Sequence, residues 1–222
     1  MDLAIKIADW IFFLSIVAAF IVSLAHREKK DLRPIQLYIV LSILINASLK
    51  FMELLPISYQ NKNTETALIN IFSILEISVL YYYFFRRISR KAFRTSMRVL
   101  LSTYFITCIT LWVVKQKGVF FYSPVLFGFE GILLTIACFF YILEILKSDN
   151  YVDLKANEHF IISCGILFYF GITTPSYLAL YNIYYIDPIF FKFVIISNYI
   201  FYTLLFITIM KAYLCITTKP LQ

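Results

Sequence analysis

Seven runs of apolar residues, joined by short polar links, fill the chain. They span about 8–25, 35–55, 67–85, 99–114, 121–146, 159–182 and 189–212. A helix needs roughly 17–25 largely apolar residues to cross a bilayer, so each run predicts one membrane-spanning helix, the fourth being the shortest. The pattern predicts an all-α polytopic membrane protein, a seven-transmembrane helix bundle forming one domain over residues 1–222.

Polar and helix-breaking residues punctuate the runs. Pro34 follows the basic link at His26 to Lys30, and Pro56 closes the second run. Thr64 or Thr66 is a candidate cap for the third helix. Gly118 and Ser123-Pro124 mark the turn before the fifth helix, and Pro188 opens the seventh. Four of the five glycines, Gly128, Gly131, Gly165 and Gly171, fall on the fifth and sixth helices. Small residues let helix backbones approach closely, so these two helices are expected to pack tightly, and Pro175 is expected to kink the sixth.

Composition agrees with this reading: 61% of residues are apolar, against roughly 45–50% in an ordinary soluble domain. The net charge of +7 raises the question of nucleic acid. Its distribution answers it, because 14 of the 20 lysines and arginines lie in alternate links and the C-terminal tail. That asymmetry is the positive-inside pattern. It predicts an N-terminus outside, a C-terminus in the cytoplasm, and no nucleic-acid role. A cytoplasmic membrane is the expected location. Asp2 and Asp9 precede the first apolar run, unlike a cleaved leader, so the first helix is read as retained. Cys108, Cys138, Cys164 and Cys215 show no metal or disulfide spacing.

The candidate chemistry lies on the second run. Ser42, Asn46, Lys50 and Glu53 recur at helical spacing and share one face. A lysine in an apolar segment costs about 2.5–3.5 kcal/mol on insertion scales, so Lys50 should find a buried partner. Glu76 on the third helix and Glu130 on the fifth are the carboxylates at overlapping depth, and Asn198 on the seventh lies close to that level. The expected cluster is therefore Asn46, Lys50, Glu76, Glu130 and Asn198. It reads first as a structural ion-pair network, then as a pocket for a small ligand entering from the outer side, and last as a proton or ion relay. At the opposite end, Arg86, Arg87, Arg90, Lys91 and Arg94 form a basic stretch suited to anionic headgroups of the bilayer or to a cytoplasmic signalling partner.

Several chemistries are not supported. The last helix has lysine only near its ends, at Lys192 and Lys211, which does not suit a retinal linkage. The only histidines, His26 and His159, do not form a zinc set with carboxylates. No phosphate loop or nucleophile–base set appears, so no enzyme activity and no cofactor is implied.

The run Asn70-Ile71-Phe72-Ser73-Ile74-Leu75-Glu76 resembles the third helix of small seven-helix membrane proteins of Bacteroidota. The entry to the sixth helix, Asn157-Glu158-His159-Phe160-Ile161, with Gly165, Tyr169 and Gly171 downstream, is similar to the same group. Related bundles form the membrane sensor regions of some histidine kinases. The resemblance implies a sensor- or receptor-like membrane protein, here with no output domain of its own after the last helix, that signals through a separate partner. The alternative is a small transporter or proton-coupled permease, and an intramembrane enzyme is a third.

Overall fold

The computed structural model describes residues 2–54, 62–114, 118–120, 123–147, 154, 156–186 and 188–215. Seven α-helices account for almost all of them: α1 Asp2–Ala25, α2 Arg33–Leu54, α3 Lys62–Phe85, α4 Lys91–Val114, α5 Pro124–Leu146, α6 Glu158–Ile186 and α7 Pro188–Leu214. Single 3₁₀ turns at Lys30–Leu32 and Gly118–Phe120 lead into α2 and α5. All seven are long and apolar enough to cross a membrane. Their mid-helix residues on the outer surface are hydrophobic: Leu14, Leu44, Ile106, Phe139 and Ile200 are all more than half exposed. In water such a surface would be costly. In a bilayer it is the expected lipid-facing shell, and the chain is an integral membrane protein.

Two helices depart from the sequence expectation. The fourth helix is not the shortest, because α4 starts at Lys91 within the basic stretch and reaches 24 residues, against 22 in α2. The third helix starts at Lys62, so Thr64 and Thr66 lie inside its first turns rather than at its cap. Other helix starts are marked locally. Pro124 stands at the first position of α5 behind Ser123. Asn157 Oδ1 accepts the Phe160 N–H at 2.9 Å, capping α6. Gly118 takes a left-handed φ of 54°, which a side chain would resist.

Neighbour relations close into a ring. α1 packs on α2, α2 on α3, α3 on α5, α5 on α6, α6 on α7, and α7 back on α1. α4 stands outside the ring against α5, and its Tyr104 reaches in to Ser73 of α3 at 3.1 Å. The glycine expectation is met in part. A methyl on Gly128 or Gly131 would run into Leu178 or Thr174 of α6, so α5 and α6 do meet at small residues. Gly165 instead faces Thr208 of α7, and Gly171 is exposed with no atom within 4 Å of the added methyl. Pro175 lies within a continuous α6.

One half of the ring interior is solid. Ile35, Ile39, Leu80, Phe84, Phe206 and Ile209 are fully buried there, and Tyr38 stacks on Phe206 with ring centroids 5.8 Å apart. This half leads to the end carrying the links 26–32 and 86–90, called here the basic end. The other half holds a cavity.

Candidate functional site

The polar stripe of α2 is mostly satisfied by its own helix. Ser42 Oγ donates to the Tyr38 carbonyl at 2.9 Å, and Asn46 Nδ2 to the Ser42 carbonyl at 2.8 Å. Such back-bonding lets hydroxyls and amides sit in an apolar helix without a partner elsewhere. Lys50 is the exception, and its partner differs from the one expected. Its Nζ pairs with Asp9 of α1 and lies 4.5 Å from the centroid of Trp10 and 5.7 Å from that of Phe13. Asp9 lies near the start of the first helix, at the level where α2 ends. The cation is thus neutralised near the end of the bundle, away from Glu76 and Glu130. The expected five-residue cluster therefore loses its lysine.

The other four residues do come together. A cavity of about 650 Å³ lies inside the ring and is lined by all six ring helices. Asn46, Glu76 and Asn198 line it directly. It extends from Glu65 and Phe191, in the first turns of α3 and α7, down to Glu76 and Tyr202. Each wall rises eleven residue steps, about 16 Å at 1.5 Å per residue. Asn46 has its amide nitrogen committed to Ser42, which leaves its carbonyl oxygen for the cavity. The Asn198 side chain makes no hydrogen bond among the described residues.

The floor is an oxygen triangle. Tyr38 Oη donates to Glu76 Oε1 at 2.9 Å and Tyr202 Oη to the same atom at 3.0 Å, while the two phenol oxygens are 3.0 Å apart. Each phenol has one proton, so either both are given to the carboxyl or one passes from Tyr38 through Tyr202. Oε1 is fully engaged, which leaves Oε2 to the cavity that Glu76 lines. Ring packing fixes the phenols. Tyr202 is sandwiched between Phe12 at 4.7 Å and Tyr169 at 4.4 Å, both nearly parallel to it. Sequence reading missed these tyrosines. Their signal was present: Tyr38 and Ser42, like Tyr202 and Asn198, are one turn apart and share a face.

Glu130 stands one bond behind the wall. Ser73, which lines the cavity, donates to Glu130 Oε2, and Tyr104 supplies the proton that Ser73 gives up its lone pair to accept. Glu130 is 2% exposed, and its Oε1 has no hydrogen-bond partner among the described residues. A buried oxygen left unpaired in an apolar interior is costly.

The basic stretch divides into two sets. Arg86, Arg90 and Lys91 are exposed. Arg87 turns inward: its guanidinium lies 3.9 Å from the Tyr83 ring centroid and donates to the carbonyls of Tyr83 and Asp31. Arg94 donates to the Ile88 carbonyl at 2.5 Å. Arg87 and Arg94, both half-buried, are thus engaged in holding the links. Lys29 also belongs to this end. Its Nζ reaches Glu158 Oε2 at 2.7 Å and the Cys215 carbonyl at 2.7 Å. His159 Nδ1 lies 3.0 Å from Tyr83 Oη. Among the described residues, no group of histidine, cysteine and carboxylates is arranged to hold a metal.

No family model, characterised protein or solved structure matches the chain.

Proposed function

We propose that the protein is a receptor-like membrane protein that binds a small ligand in the ring cavity, reached from the outer side, and passes its occupancy to the basic end. The N-terminus is then outside and the C-terminus cytoplasmic, in keeping with the basic links, and the membrane is the bacterial cytoplasmic one. The observation that carries the reading is the one-sided cavity. It is of ligand size, is lined by all six ring helices, and stops at Glu76 above a fully packed lower half. Two helices connect the floor to the basic end without a break. α3 runs from Glu76 to Tyr83 and the Arg87 it stacks on. α7 runs from Tyr202 to the Cys215 carbonyl that Lys29 holds. Arg86, Arg90 and Lys91, exposed there with Arg27, Lys30 and Arg33, are available to headgroups or to a cytoplasmic partner.

A permease is the second reading, and one observation favours it. With α4 outside, α1–α3 and α5–α7 are two triplets that together surround the cavity, which suits alternating access between halves. The test is labelling of Asn198→Cys in intact cells with a membrane-impermeant maleimide. Reaction from outside is expected. Failure to react in folded protein overturns the cavity reading. Uptake of a solute abolished by Glu76→Gln would replace the receptor with the permease.

A further inference from the structure

We propose that the ligand is an organic cation, an amine or ammonium compound with an apolar or aromatic body; the inference rests on the cavity being a ligand site. Three features converge. First, the charged residues lining the cavity among those described are both acidic, Glu65 at the upper end and Glu76 at the floor. Lys50, one turn beyond Asn46 on α2, would have made the site fit an anion, but it is turned onto Asp9 under Trp10. Glu65 by itself says little, since an acidic residue in the first turn of a helix complements the backbone dipole. The weight falls on Glu76.

Second, Glu76 is held for presentation. Tyr38 and Tyr202 both bond Oε1, and stacked rings on both faces of Tyr202 fix the phenol. The other oxygen is left facing the cavity at its deepest point, in the arrangement a single N–H donor would meet. Asn46 and Asn198 stand higher on the walls, where they suit a second polar group of the ligand.

Third, aromatic rings share the remaining walls with the aliphatic Ile45, Leu49, Ile69 and Ile195. Phe72, Phe127, Phe191 and Tyr199 come from α3, α5 and α7. Aromatic walls around a carboxylate attract cations through the ring quadrupole and bury an apolar body at the same time. An anionic ligand would meet two carboxylates and no described cation, so the cavity also selects against it.

The test uses the full chain in lipid nanodiscs with Cys164→Ser and Cys215→Ser, and Asn198→Cys as the reporter. Labelling by N-ethylmaleimide is followed in the presence of three matched probes: 2-phenylethylamine, 2-phenylethanol and 3-phenylpropanoate. The expected result is that the amine slows labelling at concentrations about tenfold or more below the other two, the difference a charge-assisted hydrogen bond supplies. Glu76→Gln should bring the amine down to the level of the alcohol. If the alcohol or the carboxylate protects as well as the amine, or if nothing protects a cysteine that reacts, the cation assignment is overturned. If the cysteine does not react at all, the ligand-site reading itself falls, a different outcome. Asn46→Cys is the second reporter, and the comparison of the three probes decides the matter with Glu76 intact even where Glu76→Gln does not fold.

Discussion

Lys50 of α2 is bound to Asp9 of α1, 41 residues earlier in the chain, and not to either glutamate of the bundle interior. The Trp10 and Phe13 rings cover the ammonium, so the pair is mostly withdrawn from solvent, with the lysine side chain 12% and the aspartate 20% exposed. Removing one member of such a pair strands the other. Asp9→Asn is expected to cost about 3 kcal/mol of stability, read as a lowered midpoint of unfolding in detergent. Adding Lys50→Met should recover part of that loss, because two neutral side chains leave no charge behind. A double mutant whose loss equals the sum of the singles would mean that the two residues do not interact.

The floor of the cavity makes a second prediction. Tyr202→Phe keeps the ring between Phe12 and Tyr169 and removes one donor from Glu76. Tyr38→Phe keeps the stack on Phe206 and removes the other. Each single change is expected to cost about 1–2 kcal/mol. The double change should cost more than both together, since it leaves Oε1 with no donor where either phenol alone can still serve it. Equilibrium unfolding of the four proteins checks this, and simple additivity would show that the triangle does not act as a unit.

Two glycines on adjacent helices should respond in opposite directions. A methyl at Gly131 would lie 2.0 Å from Thr174 Oγ1 and 3.2 Å from its Cβ, so Gly131→Ala forces α5 and α6 apart and should cost about 1–3 kcal/mol. Thr174 Oγ1 is buried without a hydrogen-bond partner among the described residues. Thr174→Ala should therefore be tolerated by itself and should rescue Gly131→Ala. Gly171 has open space around it, and Gly171→Ala should gain about 0.8 kcal/mol from helix propensity alone. Thermal unfolding of the four variants decides, and a stable Gly131→Ala protein would refute the close approach.

Run length made the seven helices legible in the sequence, because spanning a bilayer sets a length that composition must fill. Depth along the runs likewise brought Asn46, Glu76, Glu130 and Asn198 to one level. What it left open was rotation about each axis. Apart from the polar stripe of α2, these helices offer little contrast to say which face turns inward. The cost of its charge gives Lys50 a buried partner but does not say which, and Asp9, the nearer carboxylate, reads only as flanking the first helix. Tyr38 and Tyr202 share a face with Ser42 and Asn198, but that signal is faint, since an aromatic residue in an apolar run reads as bulk until its hydroxyl is seen to meet a carboxyl. The exclusion of α4 from the ring was equally hidden, because chain order does not say which neighbour is skipped.

The basic end carries the last prediction. Lys29, in the link between α1 and α2, reaches Glu158 at the start of α6 and the carbonyls of Ala212 and Cys215 at the end of α7, at 2.7, 3.4 and 2.7 Å. One ammonium thus neutralises a carboxylate and caps a helix C-terminus, where a positive charge is favoured by the backbone dipole. The two roles separate by substitution. Glu158→Gln removes the charge of the partner and leaves the carbonyl bonds, whereas Lys29→Met removes both. Lys29→Met should therefore cost more, about 3 kcal/mol, whereas Glu158→Gln should cost less, since the ammonium keeps both carbonyls. Lys29→Met should also speed amide hydrogen exchange over the last turn of α7, at Lys211 to Cys215, which Glu158→Gln should leave nearly unchanged. Equal exchange in the two variants would mean that the lysine acts on α7 only through Glu158, and the link between the first hairpin and the end of α7 would then be ionic rather than a cap.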